Sequence, residues 1–233
     1  MKEINKKNFF LSITSKNIRF DAININENIY FLEKKKINSL VELQKLDELD
    51  KFLNENIFKI EKELNSYVKD INLIIDHSEF KFIDLSMKYN SYDIKFNSER
   101  LNNLLIELKN QFKNNIGDYD IIHMFINKFI VDGTIYYDSS QLDNNDKVCL
   151  EIRFICFAKE YINNLKDVLS KYQITLNNIL CFGYLRNFKD FSEGDSSIIA
   201  SKALNGLNEN EIFFRKKINK KYSFFERFFN FFN

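Results

Sequence analysis

The 233-residue chain has no proline and no tryptophan, only five glycines, three cysteines and two histidines. Missing Pro and Trp beside abundant Asn, Lys, Ile and Phe is the bias of AT-rich coding, so it carries no functional message. The same bias deprives Asn- and Lys-rich stretches of their usual meaning as disordered segments. With so little glycine, no Gly-rich phosphate loop can be traced. Cys149, Cys156 and Cys181 are odd in number, contain no CxxC pair and sit in apolar runs. They exclude a disulfide framework and a thiolate zinc site, and read as buried reduced thiols. His77 and His123 stand near no HExxH and no carboxylate pair, so His77 reads as solvated and His123 as a satisfied core residue. A Cys–His nucleophile pair (Cys149 or Cys156 with His123) has no signature to support it. Asp143 to Asp146 lacks the spacing and glycine of a calcium loop and reads as solvated. Lys+Arg 34 against Asp+Glu 33 excludes nucleic-acid binding by overall charge. No signal peptide or spanning segment opens the chain, which places it in the cytoplasm. Catalytic, metal and cofactor residues are all expected to be absent.

Hydrophobic periodicity shows a mixed α/β chain. Phe9–Ile13, Ile18–Ile23 and Ile29–Leu32 read as a three-strand meander. A helix follows within 40–68, mainly from Asp47, with the stripe Leu49, Leu53, Ile57, Ile60, Leu64 and Tyr67, and Phe52 beside it. Strands are predicted at 71–75 and 80–87. A second helix opens at Ser98 with the stripe Leu101, Leu104, Leu105, Leu108 and Phe112, closed by Gly117. The strand at 121–131 turns at Asp132-Gly133 into 134–137, a hairpin signal. Then come a strand at 148–157, a helix at 160–172, a strand within 174–182, a loop at 188–196, a short helix at 198–204 and a last short strand at 212–214.

The closing stretch is the most patterned part of the chain. Phe224, Phe225, Phe228, Phe229 and Phe232 recur at the spacing of one helical face, widened by Phe231. Ser223 and Glu226 form a capping box that Tyr222 can staple. Arg215, Lys216, Lys217, Lys220 and Lys221 form a basic collar before it. An aromatic face behind a cationic collar is the pattern of an interfacial anchor for an anionic membrane surface. It is too short to span a bilayer, which needs ~20 apolar residues. The competing reading is a helix docked on the protein's own core.

This order of elements resembles the first part of the bacterial cell-division protein FtsA, an actin-like membrane tether for the tubulin-like ring protein FtsZ. Phe9-Phe10-Leu11-Ser12-Ile13-Thr14-Ser15-Lys16-Asn17-Ile18 is similar to that family's opening strand, phosphate loop and second strand. Ile122 to Gly133 resembles the strand and turn of its small inserted domain. Val148 to Phe157, Tyr161 to Leu169 and Gln173 to Ile179 resemble the return to the first actin-like subdomain. The closing helix resembles its membrane-targeting sequence. The resemblance implies a partial actin-like, ribonuclease H-like subdomain with an inserted α+β domain and a C-terminal amphipathic helix. It divides the chain at 1–79, 80–157, 158–214 and 215–233.

The departures from that pattern bear on activity. Ser12 stands where the family has a metal-directed Asp, and the Gly between Ile13 and Thr14 is missing. After Phe182 the chain offers Phe182-Gly183-Tyr184-Leu185-Arg186 and a polar loop rather than a second phosphate loop. No second actin-like half is found. Ser12, Thr14, Ser15 and Lys16 therefore read as a vestigial loop without nucleotide. The expectation is a non-enzymatic adaptor at the division site, on the inner face of the plasma membrane. Tyr222, Phe224, Phe225, Phe228, Phe229, Phe231, Phe232, Lys216, Lys217, Lys220 and Lys221 would contact lipid. By resemblance, FtsZ or another divisome protein is the partner, and the segment from about Phe80 to Phe157 mediates contacts and self-assembly. Two rival readings are a soluble interaction module and a residual actin-like ATPase using Thr14 to Lys16.

Overall fold

The computed structural model describes residues 8–24, 29–36, 45–90, 98–138, 142, 147–192 and 195–212. The basic collar, the expected closing aromatic helix and the 143–146 loop lie outside these residues. Within them lie nine strands and five helices in two sheets.

The first sheet begins with the meander β1 (Asn8–Ile13), β2 (Asn17–Ile23) and β3 (Ile29–Lys36), antiparallel throughout. To the inner edge of β1 is added β4 (Asp70–Ile75), parallel, and beyond it β9 (Thr175–Cys181), also parallel. The order across the sheet is β3-β2-β1-β4-β9. β1 and β4 bury every residue except their first, as strands covered on both faces must. Helix α1 (Lys45–Leu64) connects β3 to β4 and packs on α3 (Lys159–Ser170). α5 (Ser196–Leu204) lies across β1, β2 and β4.

The α1 stripe of Leu49, Phe52, Leu53, Ile57, Ile60 and Leu64 is buried as its spacing demands. Tyr67 does not belong to it and is 75% exposed. The helix stops at Leu64 because Asn65 turns left-handed, at φ 46°. The Ser66 N–H then reaches back to the Glu61 carbonyl at 3.1 Å, a Schellman ending that throws Tyr67 outward.

The second sheet is antiparallel, in the order β5-β8-β6-β7, from β5 (Lys81–Asn90), β6 (Tyr119–Val131), β7 (Thr134–Tyr136) and β8 (Lys147–Ala158). It is interposed whole between β4 and β9. Val131 pairs with Thr134 across a two-residue turn in which Asp132 and Gly133 have φ 48° and 83°. Both turn residues are left-handed, the requirement that an Asp-Gly pair meets at least strain. α2 (Ser98–Asn115) covers one face with Leu101 and Leu105, and Phe112 stacks on Phe154 at 4.0 Å. The other face carries polar pairs, with Arg153 donating twice to Asp84 at 2.7 Å and Lys128 lying 3.1 Å from Glu151.

β8 belongs to both layers. Its inward alternation holds from Val148 to Phe154 and then fails, because Phe154 to Phe157 are buried on both sides. Phe154 and Cys156 enter the core under α2, while Ile155 and Phe157 enter the core of the first sheet.

Two elements differ from the sequence reading. α4 (Phe182–Leu185) is a single helical turn straight after β9, too short to show periodicity. At the end, Glu211 forms an isolated bridge to Phe125 and the Ile212 N–H reaches the Met124 carbonyl at 2.8 Å. Residues 213–214 of the expected last strand lie outside the described chain.

A candidate binding cleft at the ends of the parallel strands

In a sheet with parallel strands, ligands gather beyond the carboxyl ends of those strands. Here those ends are Ile13 of β1, Ile75 of β4 and Cys181 of β9. A cavity of about 250 Å³ opens there. Its wall takes Ser12 from β1, Thr14 to Asn17 from the β1–β2 turn and Arg19 from β2. Asp76 comes from the end of β4, Arg186 from the end of α4 and Ser196 from the start of α5. The four residues singled out in the sequence, Ser12, Thr14, Ser15 and Lys16, are thus brought together. The lipid-facing set from Lys216 to Phe232 lies outside the described residues.

The β1–β2 turn is closed on itself. The Thr14 hydroxyl accepts hydrogen bonds from the Lys16 N–H at 3.3 Å and the Asn17 N–H at 3.2 Å. The Thr14 N–H donates to the Asn17 carbonyl at 2.9 Å. A phosphate-binding loop works by leaving successive N–H groups free to point at the anion. In this turn the N–H groups of Thr14, Lys16 and Asn17 are already used.

Deeper in the wall, Ser12 and Arg19 are directly opposed across β1 and β2. They are 2% and 5% exposed. The Arg19 Nε donates to Asp21 Oδ1 at 2.7 Å, and the Ser197 hydroxyl donates to the other Asp21 oxygen. Asp21 is fully buried, so this chain of bonds ties α5 to β2. Two atoms of the cluster are left over, since Ser12 Oγ and Arg19 Nη2 are buried without a hydrogen-bond partner among the described residues. Leaving such a group unsatisfied costs about 1–3 kcal/mol, and more for a charged one. Arg19 and Asp21 escaped the sequence reading. Their signal is two charged residues spaced by two inside an otherwise apolar strand, which puts both on one face.

A second polar cluster joins the two sheets. His123 on β6 is 5% exposed. Its Nε2 accepts the Cys181 N–H at 3.1 Å, which fixes the proton on Nδ1, and Nδ1 donates to Glu211 at 2.7 Å. The other Glu211 oxygen accepts the Tyr184 hydroxyl at 2.6 Å, and Asn208 donates to that hydroxyl at 3.0 Å. Burial, with the adjacent Glu211 carboxylate, holds the Tyr184 hydroxyl firmly protonated. His123 is therefore a satisfied core residue. No cysteine thiol is its partner, and burial pushes the Cys156 thiol up to about 11, far from a nucleophile's range. His77 is not simply solvated; its ring packs edge-on to Tyr161 at 4.5 Å and to Phe157 at 5.4 Å.

Strand order and cleft together define the class. An antiparallel meander extended by two parallel strands, with a small sheet interposed between them, is a mixed α/β layer of ribonuclease H-like strand order carrying an insertion. No family model matches the chain, and no curated relative does. Among solved structures, a PilM–PilN type IV pilus biogenesis complex aligns with a TM-score of 0.49 at 7% identity, over 78% of this chain and 49% of that one. A Marinitoga piezophila Argonaute with a 5′-OH guide RNA aligns at 0.24 and 13% identity, over 71% of this chain and 26% of that one. The same Argonaute with guide RNA and target DNA aligns at 0.25 and 15% identity, over 73% and 27%. The chain spans about half the length of the pilus protein and about a quarter of the Argonaute.

Proposed function

We propose that the chain is a non-enzymatic adaptor, an actin-like binding body held at the inner face of a membrane by its last dozen residues. There it tethers a partner of the division machinery, FtsZ or another divisome protein, as its resemblance to FtsA implies. The observation that carries the non-enzymatic part is the Thr14 turn. The N–H groups of Thr14, Lys16 and Asn17 bond to the turn's own hydroxyl and carbonyl, so no run of successive free N–H groups is left to cradle a polyphosphate. The cavity beside it, about 250 Å³, is also smaller than the ~300–1,000 Å³ of ordinary ligand pockets.

Support for the membrane part is the sequence from Arg215 to Asn233. Half-immersion of several phenylalanines contributes a few kcal/mol at about 1.5–3 kcal/mol for each full burial. Basic residues near anionic lipid add ~1 kcal/mol apiece. That is a reversible foothold, made firm when copies act together.

Sedimentation with phosphatidylglycerol-containing vesicles tests the anchor. The full chain pellets with the vesicles. Phe228→Glu stays in the supernatant and keeps the wild-type melting midpoint. A wild-type chain left in the supernatant ends the anchor reading, and a lowered midpoint for Phe228→Glu makes the helix part of the core. A saturable melting shift with magnesium-ATP overturns the non-enzymatic part.

A further inference from the structure

We propose that the cleft beside β1 is a carboxylate-binding site, in which Ser12 and Arg19 grip the two oxygens of one small carboxylate while Lys16 and Arg186 guard the mouth. Ser12 and Arg19 are opposed in register on neighbouring strands, so their side chains stand next to each other on one face. Both line the cavity, both are more than nine-tenths buried, and each retains one polar atom with no partner among the described residues. Buried polar atoms in folded proteins are almost always satisfied, so two orphans on neighbouring residues that line one cavity point to a missing third party.

The chemistry of that third party follows from what is left to bind it. Arg19 cannot turn away, because its Nε is held by Asp21, which is itself held by Ser197. What is left unpartnered is one guanidinium nitrogen and one hydroxyl on residues opposed across two strands, two donors for the two oxygens of a planar anion. A tetrahedral phosphate asks for a nest of backbone N–H groups, and those of Lys16 and Asn17 are bonded to Thr14. Charge points the same way. Lys16, Arg19 and Arg186 face the cavity with Asp76 as the acidic group on its wall, and Asp21 behind Arg19 is already paired. The volume, about 250 Å³, holds a carboxylate on a short stem.

The inference rests on the reading of this cleft as closed to nucleotide. Binding of magnesium-ATP would sink both, whereas silence from every carboxylate would sink this one alone. The carboxylate could belong to a free small acid or to an Asp or Glu side chain of a protein partner, and the probes separate the two. The full chain is titrated calorimetrically at fixed ionic strength with succinate, with the amide of N-acetylglutamate, with inorganic phosphate and with magnesium-ATP. Saturable binding of succinate or of the capped glutamate is expected, tighter than phosphate. The stronger of the two names the source. Ser12→Ala weakens it roughly tenfold, as befits one lost hydrogen bond to a charged group, and Arg186→Gln weakens it by about threefold through the charge lost at the mouth. Ser12→Ala removes an atom with no partner and Arg186 is exposed, so both variants fold. Absence of saturable binding, affinities unchanged in both variants, or phosphate binding more tightly than either carboxylate overturns the proposal.

Discussion

Two buried polar clusters in this molecule use similar parts and end differently. The cluster of His123, Glu211, Tyr184 and Asn208 closes on itself, with both ring nitrogens and both carboxylate oxygens engaged. The cluster of Arg19, Asp21 and Ser197 engages Asp21 in the same way but leaves Arg19 Nη2 and the neighbouring Ser12 hydroxyl unmatched at a cavity. The closed cluster sits where three parts of the chain meet, and its use is adhesion. The open one lies at the carboxyl ends of parallel strands, where a fold has room for something other than itself. A network with every member satisfied holds a structure together, and one with unmatched atoms calls for an explanation beyond cohesion.

Removing the central acid of either cluster should produce the largest effects and make the two look alike. Asp21→Ala strands a buried guanidinium and should cost about 3–5 kcal/mol in urea unfolding. Glu211→Ala leaves the Nδ1–H of His123 and the Tyr184 hydroxyl without their acceptor and should cost about 2–4 kcal/mol. A loss under about 1 kcal/mol for Glu211→Ala would deny that cluster its adhesive role. Ser12→Ala separates the two clusters. In the ligand-free chain it should be neutral or stabilising by up to ~1 kcal/mol, since it removes a hydroxyl whose desolvation goes uncompensated. A clear destabilisation would mean that Ser12 is satisfied after all.

The smallest effect belongs to the exposed ion pair on the second sheet. The hydrogen bonds from Arg153 hold the Asp84 carboxyl below its usual range, against the opposing pull of desolvation. A folded-state value below the unfolded one adds stability above the unfolded carboxylate pKa of about 3.9, lost as pH falls through the folded value. Asp84 is 54% exposed at its side chain, so solvent screening limits the pair to less than ~1 kcal/mol. Carboxyl titration by NMR should place Asp84 below the exposed aspartates, and Arg153→Gln should return it to them.

Local chemistry was legible in the sequence and distant pairing was not. Asp132-Gly133 announced its hairpin because those two residues suit two successive left-handed positions. The leucine stripes of α1 and α2 placed their helices because burial repeats with the turn. Tyr67 was misread because periodicity does not see a left-handed Asn65 ending the helix two residues earlier. α4 was missed because four residues make one turn and no pattern. The loop residues Ser12 to Lys16 were found through a family resemblance. Their working partners were hidden by distance, since Asp21 meets Ser197 across 176 positions and His123 meets Glu211 across 88. His123 could be read as satisfied from its apolar strand, but nothing nearby named the acid that satisfies it.

The double membership of β8 has a mechanical consequence. With Phe154 and Cys156 facing one interior and Ile155 and Phe157 the other, the strand acts as a common girder, and neither half can slacken without opening the other. Load applied to the interposed sheet therefore passes through that girder to the wall of the cleft.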